Sequence, residues 1–162
     1  MDFQPEMTQD EIRRFHRQTA SEFTCRPFSE VIEKCRRTAQ AYYSCFPLLF
    51  QIGSLMINHC SLAGSSEESA QILEEAAALF RRVRIESRDA SLAGQALSTE
   101  AYCLISLRRP DEALDLLGRS SYPYPISEPL IASAWQMKGQ PEKAAAELQA
   151  GIYQNIIGLM NL

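Results

Sequence analysis

Two histidines, a few paired acids and five cysteines are the side chains of this 162-residue chain whose types suit catalysis or metal binding. His16 and His59 are the general-base candidates, but neither has a carboxylate or nucleophile at the spacing of a recognisable catalytic motif. Glu22 with Glu30, and Glu67 with Glu68, have the composition of an acid pair; both read as helix-start acids, where the helix dipole favours negative charge. Cys25, Cys35, Cys45, Cys60 and Cys103 are odd in number, form no Cys-x-x-Cys pair and lie at no ligand spacing from a histidine. They are expected to be reduced, half-buried thiols rather than a metal or disulfide framework. Glycine-rich phosphate loops and Gly-x-Ser-x-Gly are missing as well. The expectation is therefore no catalytic residue, no metal and no cofactor: a chain that is not an enzyme.

Composition sets the outer limits. Hydrophobic residues at 46% and charged residues at 22% describe a chain that folds, of a length that suits one domain. Sixteen Lys and Arg against twenty Asp and Glu leave a net charge of −4, which argues against gripping a phosphate backbone without a further domain. No basic-then-apolar leader opens the chain, and the apolar run from Phe46 to Ile57 is too short, and too interrupted by Gln51, Gly53 and Ser54, to span a bilayer. A cytoplasmic protein with no membrane partner is expected.

Helix signals recur throughout and nothing reads as a strand. Thr8 and Glu11 have capping-box spacing, and Ile12, Phe15 and Thr19 fall on one face of the helix they open. Pro27 opens a second helix with apolar positions at Phe28, Val31, Ile32, Cys35, Ala39, Tyr42 and Tyr43, which Pro47 ends. Pro47 opens a third, strongly apolar helix through Cys60, broken by Ala63 to Ser66. Ser65 and Glu68 repeat the capping-box spacing before the stripe Ile72, Leu73, Ala76, Ala77, Leu79, Phe80 and Val83. Asp89 caps a fifth helix to about Leu107, and Pro110 starts a sixth to Leu117. The proline-punctuated Ser120 to Pro125 cannot be helical. Ser127 caps a seventh helix to Met137, Gly139 stops it, and Pro141 starts an eighth that runs towards the end of the chain. The predicted fold is all-α: about eight helices in about four antiparallel hairpins, stacked as a superhelix.

Two segments carry the strongest internal signal. Leu107–Leu117 and Lys138–Leu148 each place a polar break before proline, an acid, a second charge and alanine, with Pro110 matching Pro141 and Ala113 matching Ala144, 144 − 113 = 31 residues apart. Ala101, Leu104, Ala113 and Leu117, then Ala132, Trp135, Gly139, Ala144 and Leu148, fall on the small and large positions of a helical-hairpin repeat. The last two hairpins thereby resemble tetratricopeptide repeats. Arg108 replaces the turn glycine in the first copy, and the 31-residue offset is shorter than the family's usual 34. The resemblance implies one helical-repeat domain over 1–162, with an atypical N-terminal hairpin (1–46) and tetratricopeptide-like hairpins at 47–87, 89–119 and 127–162.

In that family the first helix of each hairpin lines a concave groove. The register places Gln51, Ser54 and Asn58, then Gln95, Ser98 and Tyr102, then Ser133 and Gln136 on it, polar side chains suited to hydrogen-bonding a peptide backbone. The layout as a whole resembles the C-terminal sensor region of bacterial Xre-type transcriptional regulators. That implies a domain that dimerises and binds a short peptide or protein, and that meets DNA only through a separate helix-turn-helix domain. The alternative is a general protein–protein interaction scaffold or co-chaperone module. A basic, charge-clamping groove would favour the alternative, whereas neutral polar groove positions favour the sensor.

The basic residues of the first two helices, Arg13, Arg14, Arg17, Lys34, Arg36 and Arg37, alternate with acids and read as a solvated face. The last helix differs from these, because it stays apolar to the end and carries no charge after Glu147. An end repeat normally needs a polar cap, so Ile152, Ile156, Ile157, Leu159 and Met160 are expected at a homodimer interface.

Overall fold

Thr8 opens the first helix by the mechanism its spacing implies. Its hydroxyl accepts the Glu11 N–H at 3.3 Å, and the Glu11 carboxylate accepts the Thr8 N–H at 2.7 Å. The Thr8 hydroxyl and N–H together hold the Glu11 carboxyl below its ordinary pKa. In the computed structural model, which describes residues 6–118 and 127–160, eight α-helices and a single 3-10 turn account for the regular structure, with no strand among the described residues. The chain divides into two compact units, residues 1–96 and 97–162.

The N-terminal unit holds α1 (Gln9–Cys25), α2 (Phe28–Ala41), α3 (Phe46–His59), a 3-10 turn (Cys60–Leu62) and α4 (Ser66–Glu86). Its core is built on α3, whose Leu48, Leu49, Ile52, Leu55 and Met56 are buried against Val31, Ile32 and Cys35 of α2 and Ile72, Ala76, Phe80 and Val83 of α4. Gly53 sets the closest approach. A Cβ at this position would lie 2.8 Å from Phe80 Cζ, so only a glycine lets α4 seat its phenyl ring against the α3 backbone. Burial pushes the Cys35 thiol up to about 11. Of the five cysteines, Cys35, Cys45 and Cys103 are buried, Cys60 is half-buried and Cys25 is exposed, and all are free thiols.

Ion pairs tie these helices together from the outside. The Arg36 guanidinium donates to both Glu75 oxygens at 2.8 and 2.9 Å, joining α2 to α4, and Lys34 Nζ donates to both Glu22 oxygens at 3.0 and 2.8 Å, joining α1 to α2. Glu22 is thus a cross-helix partner near the end of α1 and not a helix-start acid as expected, because α2 folds back and brings Lys34 to it.

Several boundaries move. α2 stops at Ala41 instead of continuing through Tyr43, since the chain turns at 42–44 to enter α3. α3 begins at Phe46 with Pro47 in its first turn, and gives way to the 3-10 turn at Cys60. Ser65 Oγ accepts the Glu68 N–H at 3.1 Å as predicted, but the Glu68 carboxylate accepts from Gly64 N–H at 2.7 Å, one residue earlier than a capping box would have it.

α5 (Ala90–Ser106) crosses the boundary between the units. Asp89 caps it, one carboxylate oxygen accepting the N–H groups of Ser91 and Leu92 at 2.9 and 3.1 Å. The C-terminal unit continues with α6 (Pro110–Gly118), α7 (Ser127–Met137) and α8 (Pro141–Met160). Residues 119–126, where the proline-rich loop was expected, lie outside the described residues.

The 31-residue repeat reappears in backbone hydrogen bonds. After α5, Arg108 N–H donates to Ile105 O and Arg109 N–H to Leu104 O; after α7, Gly139 N–H donates to Gln136 O and Gln140 N–H to Trp135 O, all at 2.9 to 3.0 Å. Both turns are Schellman closures that need a left-handed residue, supplied by Arg108 at φ 61° and Gly139 at φ 69°. Ala101 and Ala132, and Ala113 and Ala144, are buried pairs at the same offset. Leu117 is buried too, but its counterpart Leu148 is 45% exposed and fills no groove. Gly151 lets α8 lie close to α7, since a Cβ there would meet Glu128 Cγ at 2.9 Å.

Candidate functional site

The side chains of α1 at positions 9, 12, 13, 16 and 17 follow three- and four-residue steps and so form one stripe along the helix. Packing of α1 beside α3 sets that stripe against Pro47, Phe50 and Gln51, and the start of α5 adds Leu92 and Gln95. The result is an open groove of about 400 Å³ within the N-terminal unit. That volume falls within the range of about 300–1,000 Å³ typical of ligand clefts.

The groove has three kinds of surface. Ile12, Pro47, Phe50 and Leu92 make an apolar floor; Gln9, Gln51 and Gln95 bring one carboxamide from each of the three helices; Arg13, His16 and Arg17 form a basic wall. Phe50 is fixed from behind by an edge-on contact with Phe80, with centroids 5.4 Å apart. Arg13 approaches Asp10 at 3.5 Å and Gln9 at 3.5 Å, both weak exposed contacts. The side chains of His16, Arg17 and Gln51 have no hydrogen-bond or ion-pair partner among the described residues. They are therefore free to donate to, or accept from, a bound molecule.

Of the positions nominated from sequence, the structure brings Gln51 and Gln95 together in this groove. Ser54, on the same helix, turns its hydroxyl back onto Phe50 O at 2.9 Å, and Asn58 is exposed and outside the groove lining. Ser98, Tyr102, Ser133 and Gln136 belong to the C-terminal unit. There Ser98 is half-buried, Tyr102 and Gln136 are exposed, and the Ser133 hydroxyl donates to Pro129 O at 2.8 Å. The α1 contribution was missed because the repeat register does not reach that helix, and its alternating charges read as a solvated face. The signal that would have found it is the 9, 12, 13, 16 spacing, in which polar and basic residues flank a buried Ile12.

Nothing in the groove resembles an acid–base machine. His16 has no carboxylate beside it, while His59 stacks on Phe23 at 4.1 Å and hydrogen-bonds through Nδ1 to Leu55 O at 2.8 Å. Among the described residues no three His, Cys, Asp or Glu side chains come together as a metal site would require, and no helix is long and apolar enough to cross a membrane.

At the other end of the chain, α8 passes the start of α7 once Gly151 has packed on Glu128. Ile152, Tyr153, Ile156, Ile157 and Met160 are all exposed, between 46% and 80%. Leu159 lies in the helix, but its side chain is outside the described residues. Comparison of the chain with protein-family models, with curated proteins and with solved structures finds no match.

Proposed function

We propose that this chain is a recognition module that takes a short peptide, or an exposed segment of a partner protein, in the groove between α1, α3 and the start of α5, and that pairs with a second copy through α8. The observation that carries the reading is the groove itself: an apolar floor beneath three carboxamides, with His16, Arg17 and Gln51 left without hydrogen-bond or ion-pair partners among the described residues. Carboxamides both donate and accept, which is what the alternating N–H and C=O groups of an extended peptide require. In keeping with the tetratricopeptide resemblance of the last two hairpins, the setting we propose is the sensor part of a cytoplasmic bacterial transcriptional regulator of the Xre type, with DNA contacted only by a separate helix-turn-helix domain.

A library of fluorescein-labelled dodecapeptides screened against the full chain tests the reading. Binders are expected to lose about tenfold in affinity in the Gln51→Ala, Gln95→Ala double variant, as loss of one or two hydrogen bonds implies. Binders indifferent to both substitutions would place recognition elsewhere and defeat the proposal.

The basic wall favours a second reading, a general protein–protein interaction or co-chaperone module, since Arg13 and Arg17 provide the charge that a neutral sensor groove lacks. The two readings differ in coupling. A sensor's ligand must shift self-association, because binding and assembly are linked; a scaffold's ligand leaves the oligomeric state unchanged.

A further inference from the structure

We infer that the ligand of this groove is acidic: a peptide segment carrying at least one carboxylate beside an apolar side chain. The inference rests on the peptide-binding reading above and adds the chemistry of the ligand.

The groove has no Asp or Glu in its lining, although acids outnumber bases in the chain as a whole by twenty to sixteen. Its charge is therefore local and opposite in sign to that of the molecule. Arg13, His16 and Arg17 stand on one face of α1 at i, i+3 and i+4, so a single ligand carboxylate can meet more than one of them. Arg17 is exposed and has no carboxylate partner among the described residues. The one acid against Arg13 is Asp10, at 3.5 Å, with both side chains more than two-thirds exposed, a pair that an incoming carboxylate displaces at little cost. A guanidinium offers paired N–H donors in the geometry a carboxylate accepts, and a lysine-rich segment would meet two guanidiniums and no counter-charge.

The apolar floor supplies the second half of the specificity. Phe50 and Leu92 are half-buried and Pro47 is exposed, so each retains surface that water covers in the free protein. Covering that surface requires an aliphatic or aromatic side chain next to the acid. A lone acidic residue would satisfy the wall and leave the floor wet; a lone apolar residue would do the reverse.

Three pools of fluorescein-labelled dodecapeptides test this on the full chain by fluorescence anisotropy. All share alternating Leu and Phe positions, and the intervening positions are Asp and Glu, Lys and Arg, or Gln and Asn. Oligo-dT of twelve nucleotides is the fourth arm. The acidic pool is expected to bind at least tenfold more tightly than the basic pool and to weaken as salt rises from 50 to 500 mM, an interval over which exposed charge interactions are largely screened. The Arg13→Glu, Arg17→Glu variant is expected to abolish or reverse that preference while its far-UV circular dichroism and melting temperature stay unchanged, because both side chains are exposed. Equal or tighter binding of the neutral or basic pool, still sensitive to Gln51→Ala, overturns the acidic ligand and leaves the peptide groove standing. Binding of oligo-dT at the strength of the acidic pool overturns the peptide as the source of the charge. If no pool binds, both the inference and the reading beneath it fall.

Discussion

Thr19 is the residue at which this fold carries an avoidable cost. Its side chain is fully buried on α1, and its hydroxyl, like that of Ser44, is buried with no hydrogen-bond partner among the described residues. A buried, unsatisfied hydroxyl costs about 1–3 kcal/mol relative to a satisfied one. Thr19→Val replaces it with a methyl of nearly the same shape, and is expected to stabilise the protein by about 1 kcal/mol in urea unfolding. A loss of stability instead would mean that the hydroxyl has a partner. Arg108 is the opposite case, a residue whose backbone conformation is unfavourable but required: at φ 61° it closes α5 by the same two bonds that Gly139 makes after α7. A left-handed residue is needed at both turns, and only one of them has the residue that adopts it without strain.

Between elements, the clearest electrostatic joint is Lys34 of α2 on Glu22 of α1. The bonds donated by Lys34 hold the Glu22 carboxyl below its ordinary range, so folding favours the ionised form. The sign follows directly. A carboxyl with a lower pKa folded than unfolded contributes stability above its unfolded value of about 4.3, and the contribution fades as pH falls through the lowered one. Lys34→Met is therefore expected to cost about 1 kcal/mol at pH 7, a modest figure because Lys34 is one-third exposed, and to cost progressively less as pH falls through the lowered value. Urea unfolding as a function of pH checks it, and a deficit that does not shrink as pH falls would assign the loss to the contact of Lys34 Nζ with the Phe15 ring, 5.4 Å from its centroid, and not to the pair with Glu22.

For the molecule as a whole, α8 carries an exposed apolar face. Helical spacing of Ile152, Ile156 and Met160 gives an uncharged stripe, and two such stripes meet without like-charge repulsion. If the chain pairs through α8 as proposed, Ile152→Glu with Ile156→Glu is expected to convert that dimer to a monomer by light scattering while leaving helix content intact, since both residues are already exposed. A monodisperse monomer in the unaltered protein would remove α8 as an interface. Self-association measured with and without peptide then separates the sensor from the scaffold.

The sequence by itself determined where helices begin and how the last two hairpins repeat. Thr8, Ser65 and Asp89 cap with their own side chains, Pro47, Pro110 and Pro141 fall in first turns, and the 31-residue offset recurs in the backbone bonds of both turns. These are local matters, fixed by groups a few residues apart, and so are legible along the chain. Tertiary structure alone decided what each helix faces. Asn58 and Gln51, two turns apart on one helix, read alike in sequence, yet only Gln51 reaches the groove. Arg13 and Arg17 read as solvated charges until α3 and α5 close a cleft beside them, and Glu22 reads as a helix-start acid until α2 folds Lys34 onto it. A side chain's role depends on which neighbour occupies the space above it, and that is set by packing between elements distant in sequence.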